Sequence, residues 1–203
     1  YRLTDSRAPV LIVDTVCLPE IEKILDQAVF LKNVVVCGEQ DHTYLSFNKL
    51  SAEAGADYKA APTTRDDAAF WLYSGRNPEK IMGAVHHHSH MVYCAEAYAR
   101  GILDMTADDR AMGSFLFFAY GLGNGAYFPF AVGATTILIS HPPKPELFYE
   151  DLLKYKPTLF FTVPTLLGAL ADYKKTCRRE GKALPPVDGL RACISSAEIL
   201  SAE

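Results

Sequence analysis

Between residues 70 and 90 the chain carries its densest run of groups able to do chemistry, in the string FWLYSGRNPEKIMGAVHHHSH. The apolar residues 69–73 read as a strand, the polar residues after them as a turn, and the run toward His86 as a return strand. The turn carries Arg76 and Lys80, either of them long enough to reach an anion, while Pro78 removes an amide donor and Glu79 adds a negative charge. Just beyond stand His86, His87, His88 and His90. If the strand continues, His86, His88 and His90 share one face, and three imidazoles can ligate zinc or nickel. No Cys, Asp or Glu lies nearby in sequence to complete such a site, so a structural role is expected and no metal site is assigned.

A second concentration is FLFFAYGLGN, residues 115–124. By composition Phe115, Phe117, Phe118 and Tyr120 read as core aromatics. Asp66 and Asp67 precede a strand as loop or cap residues, and Asp108, Asp109 and Arg110 read as a turn with a surface ion pair of little energetic weight. TVPT, residues 162–165, joins a strand end to a helix start, with Pro164 near the first helical position.

The elements that must position these residues follow from periodicity. Residues 10–14 (VLIVD) read as a strand covered on both faces, residues 18–28 as an amphipathic helix with Pro19 in its first turn, and residues 33–37 (NVVVC) as a second strand. A short helix is expected near residues 44–50, then a polar loop over residues 60–67. Residues 90–103 read as a helix, 104–110 as a turn and 111–115 as a strand. Strands at 135–140, 158–163 and 190–195 then alternate with helices at 146–155 and 165–175. Such alternation implies an α/β fold with a mostly parallel sheet flanked by helices and right-handed crossovers, with ligands beyond the carboxyl ends of its strands.

Composition excludes several classes. A 49% hydrophobic fraction over 203 residues is ample for a continuous core, and a net charge of −4 with scattered basic residues argues against a nucleic-acid partner. Five dispersed cysteines without a CxxC pair read as reduced, mostly buried thiols of a cytoplasmic protein. Residues 112–140 lack charge, but their glycines and Pro129 fit a buried helix and strand better than a membrane span. A start at Tyr1 without a methionine and a stop at Glu203, where a new element is expected to begin, suggest a piece of something longer. The division expected is an α/β portion at residues 1–67 and a central α/β portion at residues 68–203.

The strings DDAAFWLYS, GAVHHH, LFFAYGLGNGAYFPFAVGATT, KPTLFFTVPTL and SSAEILSAE, in this order, resemble the AMP-forming acyl-CoA synthetases, most closely the benzoate-CoA ligase or aryl-acid:CoA ligase family. The resemblance covers nearly the whole chain, more weakly before Ala60. It implies part of the large domain of an adenylate-forming ligase. It also implies a two-step reaction: an aromatic carboxylate attacks ATP to give an acyl-adenylate and pyrophosphate, and CoA then displaces AMP, with Mg2+ and a lysine neutralising the triphosphate. Phe118, Ala119, Tyr120 and Gly121 are thereby implied to line a slot for a flat aromatic acid, with Gly121 and Gly123 letting ring and backbone approach.

Ser74, Gly75, Lys80 and Gly83, with Ser196, Ala197 and Glu198, are implied as the nucleotide-binding positions. At the first set the family has a loop rich in glycine, serine and threonine that closes in Pro-Lys-Gly. Here only Ser74 and Gly83 match in place, and Met82 stands where the family has its lysine. Ala197 replaces the glycine common before the glutamate, a change that matters if the position requires positive φ. The family's second ATP motif, ribose-binding aspartate and small carboxy-terminal domain with its catalytic lysine fall outside this sequence. The expectation is therefore a chain that retains the acid pocket and is inactive alone, or a non-enzymatic aromatic-acid-binding or interaction module. Its partners would be a small aromatic carboxylate, the remainder of a ligase, or a second copy of itself.

Overall fold

A computed structural model describes residues 1–38, 43–75, 81–113 and 115–199. The described residues fall into two compact units, one of Tyr1–Thr64 and Tyr73–Val85, the other of Arg65–Leu72 and His86–Glu203.

In the first unit, β1 (Val10–Asp14), β2 (Asn33–Cys37) and β3 (Leu45–Ser46) pair in parallel in that order, with Val13 opposite Val36. Val34, Val35 and Val36 of the central strand are buried. β1 is an edge strand and is not covered on both faces as its composition suggested: Val10 and Ile12 are 45% and 58% exposed. The helix expected over residues 18–28 is shorter, since after α1 (Arg2–Ser6) the next helix, α2 (Leu18–Glu22), stops after five residues and a 3₁₀ turn, Leu25–Gln27, follows. A further helix, α3 (Phe47–Glu53), starts at Ser46, whose hydroxyl accepts from the Lys49 amide.

β4 (Ala68–Ser74) and β5 (Met82–His87) form a two-stranded ribbon. The strand ends at His87, and α4 begins at once (His88–Cys94), so His86, His88 and His90 do not share a strand face. His87 and His90 instead form a reciprocal cap: the His90 ring accepts from the His87 amide, the His87 ring accepts from the His90 amide, and the two rings stack at 5.0 Å. Among the described residues no three His, Cys, Asp or Glu side chains are grouped to hold a metal ion.

In the second unit, α4 runs into a π-helical turn, Ala95–Arg100. Four parallel strands follow: β6 (Arg110–Met112), β7 (Thr135–Ile137), β8 (Leu159–Thr162) and β9 (Ala192–Ser195), in the order β7-β6-β8-β9. Their alternating side chains build two cores, as the strand period requires. Ala111, Leu159 and Phe161 join Ala95, Ala99, Met105 and Phe128 on one face. Met112, Ile137 and Phe160 join Phe148 and Leu152 of α7 (Pro145–Tyr155) on the other, with Leu166, Leu167 and Leu170 of α8 (Pro164–Arg179) packed against them. The uncharged stretch contains α5 (Ala119–Leu122), a π-helical turn (Gly123–Tyr127) and α6 (Phe128–Val132) before β7. No helix among the described residues is long and apolar enough to cross a membrane. All five cysteines are free, but only Cys177 is buried, against the expectation of mostly buried thiols.

The amino-terminal ends of three strands meet at Asp109, which is 4% exposed and not the surface residue its sequence context suggested. Its carboxylate accepts from the Thr158 hydroxyl at 2.6 Å, from the Thr106 amide at 3.0 Å, and from Arg191 Nε and Nη2 at 2.8 Å each. The Arg191 hydrogen bonds hold its pKa well below the usual carboxylate range despite burial, which acts the other way. A depressed folded-state value means that this contribution is fully present above the unfolded value, about pH 4, and is lost as pH falls from there toward the folded value. Asp109→Asn removes the charge that Arg191 pairs with and is expected to cost about 2 kcal/mol in urea unfolding at pH 7. The gap between wild type and variant should shrink below about pH 4; a gap unchanged down to pH 2 would contradict this assignment.

Candidate functional site

At the carboxyl ends of β8 and β9 the chain turns twice, and the turns hold each other. β8 ends at Thr162, and Val163 and Pro164 lead into α8; Pro164 suits a first helical position, but Val163 has no side-chain oxygen to cap the free amides. Glu198, arriving after β9, takes that role: its carboxylate accepts from the Thr165 amide at 3.1 Å and from the Thr165 hydroxyl. The Ser196 amide donates to the Thr162 carbonyl at 3.3 Å. Between them Ala197 has φ +72°, a left-handed conformation that suits glycine. The glycine-for-alanine departure thus falls where glycine would be unstrained.

Beside this edge lies a recess of about 540 Å³. One wall is α4 with its π-helical turn (Cys94, Ala97, Tyr98), the second is α5 and the turn after it (Ala119, Tyr120, Asn124), and the end is closed by Ser195 of β9 and Ser196 just after it. Both helical walls contain a π segment, a local irregularity common at functional sites. The Tyr120 hydroxyl donates to the Ile194 carbonyl at 2.9 Å, and burial pushes its pKa up to about 12. Asn124 Nδ2 donates to the Tyr120 carbonyl at 2.8 Å, holding the turn of backbone that carries Tyr120. A Cβ on Gly123 would come within 2.9 Å of the Phe128 ring, so this glycine admits a core ring of the protein itself.

Of the aromatic-slot residues read from the sequence, Ala119 and Tyr120 border this recess. Phe118 and Tyr120 border a second, almost wholly apolar cavity of about 380 Å³, shared with Phe115, Phe161, Leu166 and Ala197. Gly121 is buried in α5 and borders neither. Phe117 and Phe118 are 71% and 57% exposed, contrary to their reading as core aromatics. Tyr98 and Asn124 were not singled out in the sequence; only the helical spacing Cys94, Ala97, Tyr98 pointed at a shared face.

The remaining nucleotide candidates belong to the first unit. Ser74 ends β4, Gly75 has φ +118°, and Gly83 lies against Tyr73, whose ring would be 3.0 Å from an added Cβ. Lys80, with residues 76–79, lies outside the described residues. Met82 is 70% exposed.

Comparison with known proteins gives this geometry its context. The family model described as AMP-binding enzyme matches residues 1–203. The chain belongs to that family. It is 40% identical to a benzoate–CoA ligase of Thauera aromatica over 98% of this chain and 37% of the relative, and 35% identical to a 4-hydroxybenzoate–CoA/benzoate–CoA ligase of Rhodopseudomonas palustris over 100% and 37%. Among solved structures, an anthranilate CoA ligase in complex with anthranoyl-AMP superposes with a TM-score of 0.89 at 30% identity, covering 98% of this chain and 38% of that one. A benzoate CoA ligase from Burkholderia xenovorans LB400 gives 0.79 at 33%, again over 98% and 38%. The α/β architecture with parallel sheets is that of these ligases, and the chain spans less than two fifths of their length.

Around the positions that the family resemblance assigns to the nucleotide, Gly83 packs against a tyrosine ring, Met82 carries no charge, and one Glu198 carboxylate oxygen is engaged at the start of α8. Relieving the left-handed alanine is a direct check on that segment: Ala197→Gly is expected to raise stability by about 1 kcal/mol in urea unfolding, and a loss of stability would refute the strained backbone.

Proposed function

We propose that this chain forms the acid-binding part of the large domain of an AMP-forming aryl-acid CoA ligase, with a flat aromatic carboxylate held in the recess between α4, α5 and β9. The observation that carries the reading is that Ala119 and Tyr120 meet Ser195 and Ser196 around one recess, at the strand edge where parallel sheets bind ligands. The relatives named for benzoate, 4-hydroxybenzoate and anthranilate are consistent with a single-ring acid. In this reading Tyr120, fixed by its bond to Ile194, gives the ring a rigid face, and small Ala119 leaves room for its edge. ATP, Mg2+ and CoA would supply adenylation and thioester formation in the complete ligase; no step of that chemistry is assigned to the loop at residues 74–83.

The poor match of that loop to a triphosphate favours a second reading, an aromatic-acid-binding or interaction module without chemistry. Calorimetry separates the two. Benzoate binding that tightens with ATP and Mg2+ supports the ligase part, whereas binding indifferent to nucleotide supports the module. In either case the chain alone is expected to release no pyrophosphate from ATP with benzoate. Sustained release would overturn the assessment of the loop, and absence of benzoate binding would remove the recess as an acid site. The exposed Val10 and Ile12 of the β1 edge, with Phe117, support self-association. Size-exclusion elution should therefore move to larger species as concentration rises, and an elution volume independent of concentration would speak against it.

A further inference from the structure

We propose that His141 is a proton-operated latch: as an imidazolium it ties the loop between β7 and α7, residues 138–144, to α7, and on losing its proton it releases that wall of the apolar cavity. The two ring nitrogens face two acceptors. Nδ1 lies 2.8 Å from the Pro142 carbonyl oxygen, and Nε2 lies 2.5 Å from the Asp151 carboxylate. A carbonyl and an ionised carboxylate accept and cannot donate, so both bonds exist together only when both nitrogens carry a proton. Either neutral tautomer sets a nitrogen lone pair against an oxygen.

The loop brings few amides with which to hold itself. Pro142 and Pro143 have no N–H, and neither has Pro145, which opens α7. The bond to Asp151 reaches from this loop to the middle of α7, and the pair is 25% and 15% exposed, so water screens it less than an open surface ion pair. Ile139 and Pro143, on either side of His141, border the apolar cavity. Phe148 borders it too, and its ring meets the His141 ring edge-on at 5.4 Å. Loss of the tie therefore reaches the cavity through immediate neighbours.

Among the described residues, the charges acting on His141 are Asp151 and Glu150 of α7; Lys154 of the same helix acts on Asp151, and Lys144 is the loop's own charge. The bond to the Pro142 carbonyl first, then the bond to Asp151 and the two carboxylate charges, raise the His141 pKa above its ordinary 6.5, while burial acts the other way. A raised folded-state value means that the tie stabilises fully below about pH 6.5 and is lost as pH rises through the folded value. The latch is closed in mild acid and opens toward alkaline pH.

Nuclear magnetic resonance of the isotopically labelled chain, from about pH 5 to pH 9, tests this. The His141 ring signal, identified by its disappearance in His141→Gln, should titrate above 6.5, and in Asp151→Asn its midpoint should fall. The Phe148 amide, which donates to the loop's Lys144 carbonyl at 3.1 Å, reports on the latch. Its protection against hydrogen exchange, corrected for intrinsic rate and taken relative to the amides of β8, should drop about fivefold across that titration, the worth of one hydrogen bond. In His141→Gln it should stay level. A ring midpoint at or below 6.5 overturns the doubly bonded imidazolium. Protection that does not follow the ring titration, or that falls as far in His141→Gln, overturns the latch. If that variant fails to fold, the shifted signal in Asp151→Asn identifies the ring, and the wild-type titration and exchange still decide.

Discussion

Burying a carboxylate costs several kcal/mol unless its oxygens are met by donors, and the Asp109 side chain meets four hydrogen bonds from three places in the chain. Thr158 precedes β8, Arg191 precedes β9, and Asp109 itself precedes β6. The charge is therefore tolerable only when three strands start at the same level, and this condition sets their register independently of the apolar packing on either face. Arg191 also donates to the Asp104 carbonyl at 3.2 Å, tying in the turn before β6. Polar order at the amino-terminal edge leaves the carboxyl-terminal edge free of such demands, and that is where the recess and the apolar cavity lie.

Between the two edges the sheet is insulated. Leu159, Phe160 and Phe161 are buried on alternating faces, so β8 reads as a continuous apolar run, as a central parallel strand must. Helices on one face carry the π-helical turns that border the recess, while α7 and α8 seal the other. The walls of the recess thus stand on a rigid core while their own backbone is irregular. In the second wall Asn124 compensates by capping the Tyr120 carbonyl with its side chain.

Much of this was legible in the sequence because it is local. Strand runs such as residues 10–14, 33–37 and 159–162, and helices opened by Pro145 and Pro164, announce themselves through composition and period. What escaped was non-local or conformational. Asp109 looked like a turn residue because its chief partner, Arg191, lies 82 positions away. The histidines suggested a strand face because nothing in HHHSH marks the switch from period two to a helix, and only their mutual capping explains it. Phe117 and Phe118 looked like core because aromatic residues usually are, yet both are largely exposed. Of the residues that border the recess, Ala119 and Tyr120 were named through the family resemblance, whereas Asn124 was not singled out.

The segment after β9 shows how structural and chemical demands compete for the same few residues. Glu198 supplies the cap that Val163 cannot, so the start of α8 depends on a side chain that the family resemblance places beside a nucleotide. Reaching that position forces Ala197 to positive φ, where a methyl group is strained by about 1 kcal/mol and a hydrogen is not. The carboxylate oxygen held by the Thr165 amide and hydroxyl is not also available to orient a ligand without giving up the cap. The same economy applies to Tyr120, whose hydroxyl proton is spent on Ile194 and so is not available to donate within the recess. Asn124 divides its amide in a similar way: one end holds the Tyr120 carbonyl, and the other has no partner among the described residues.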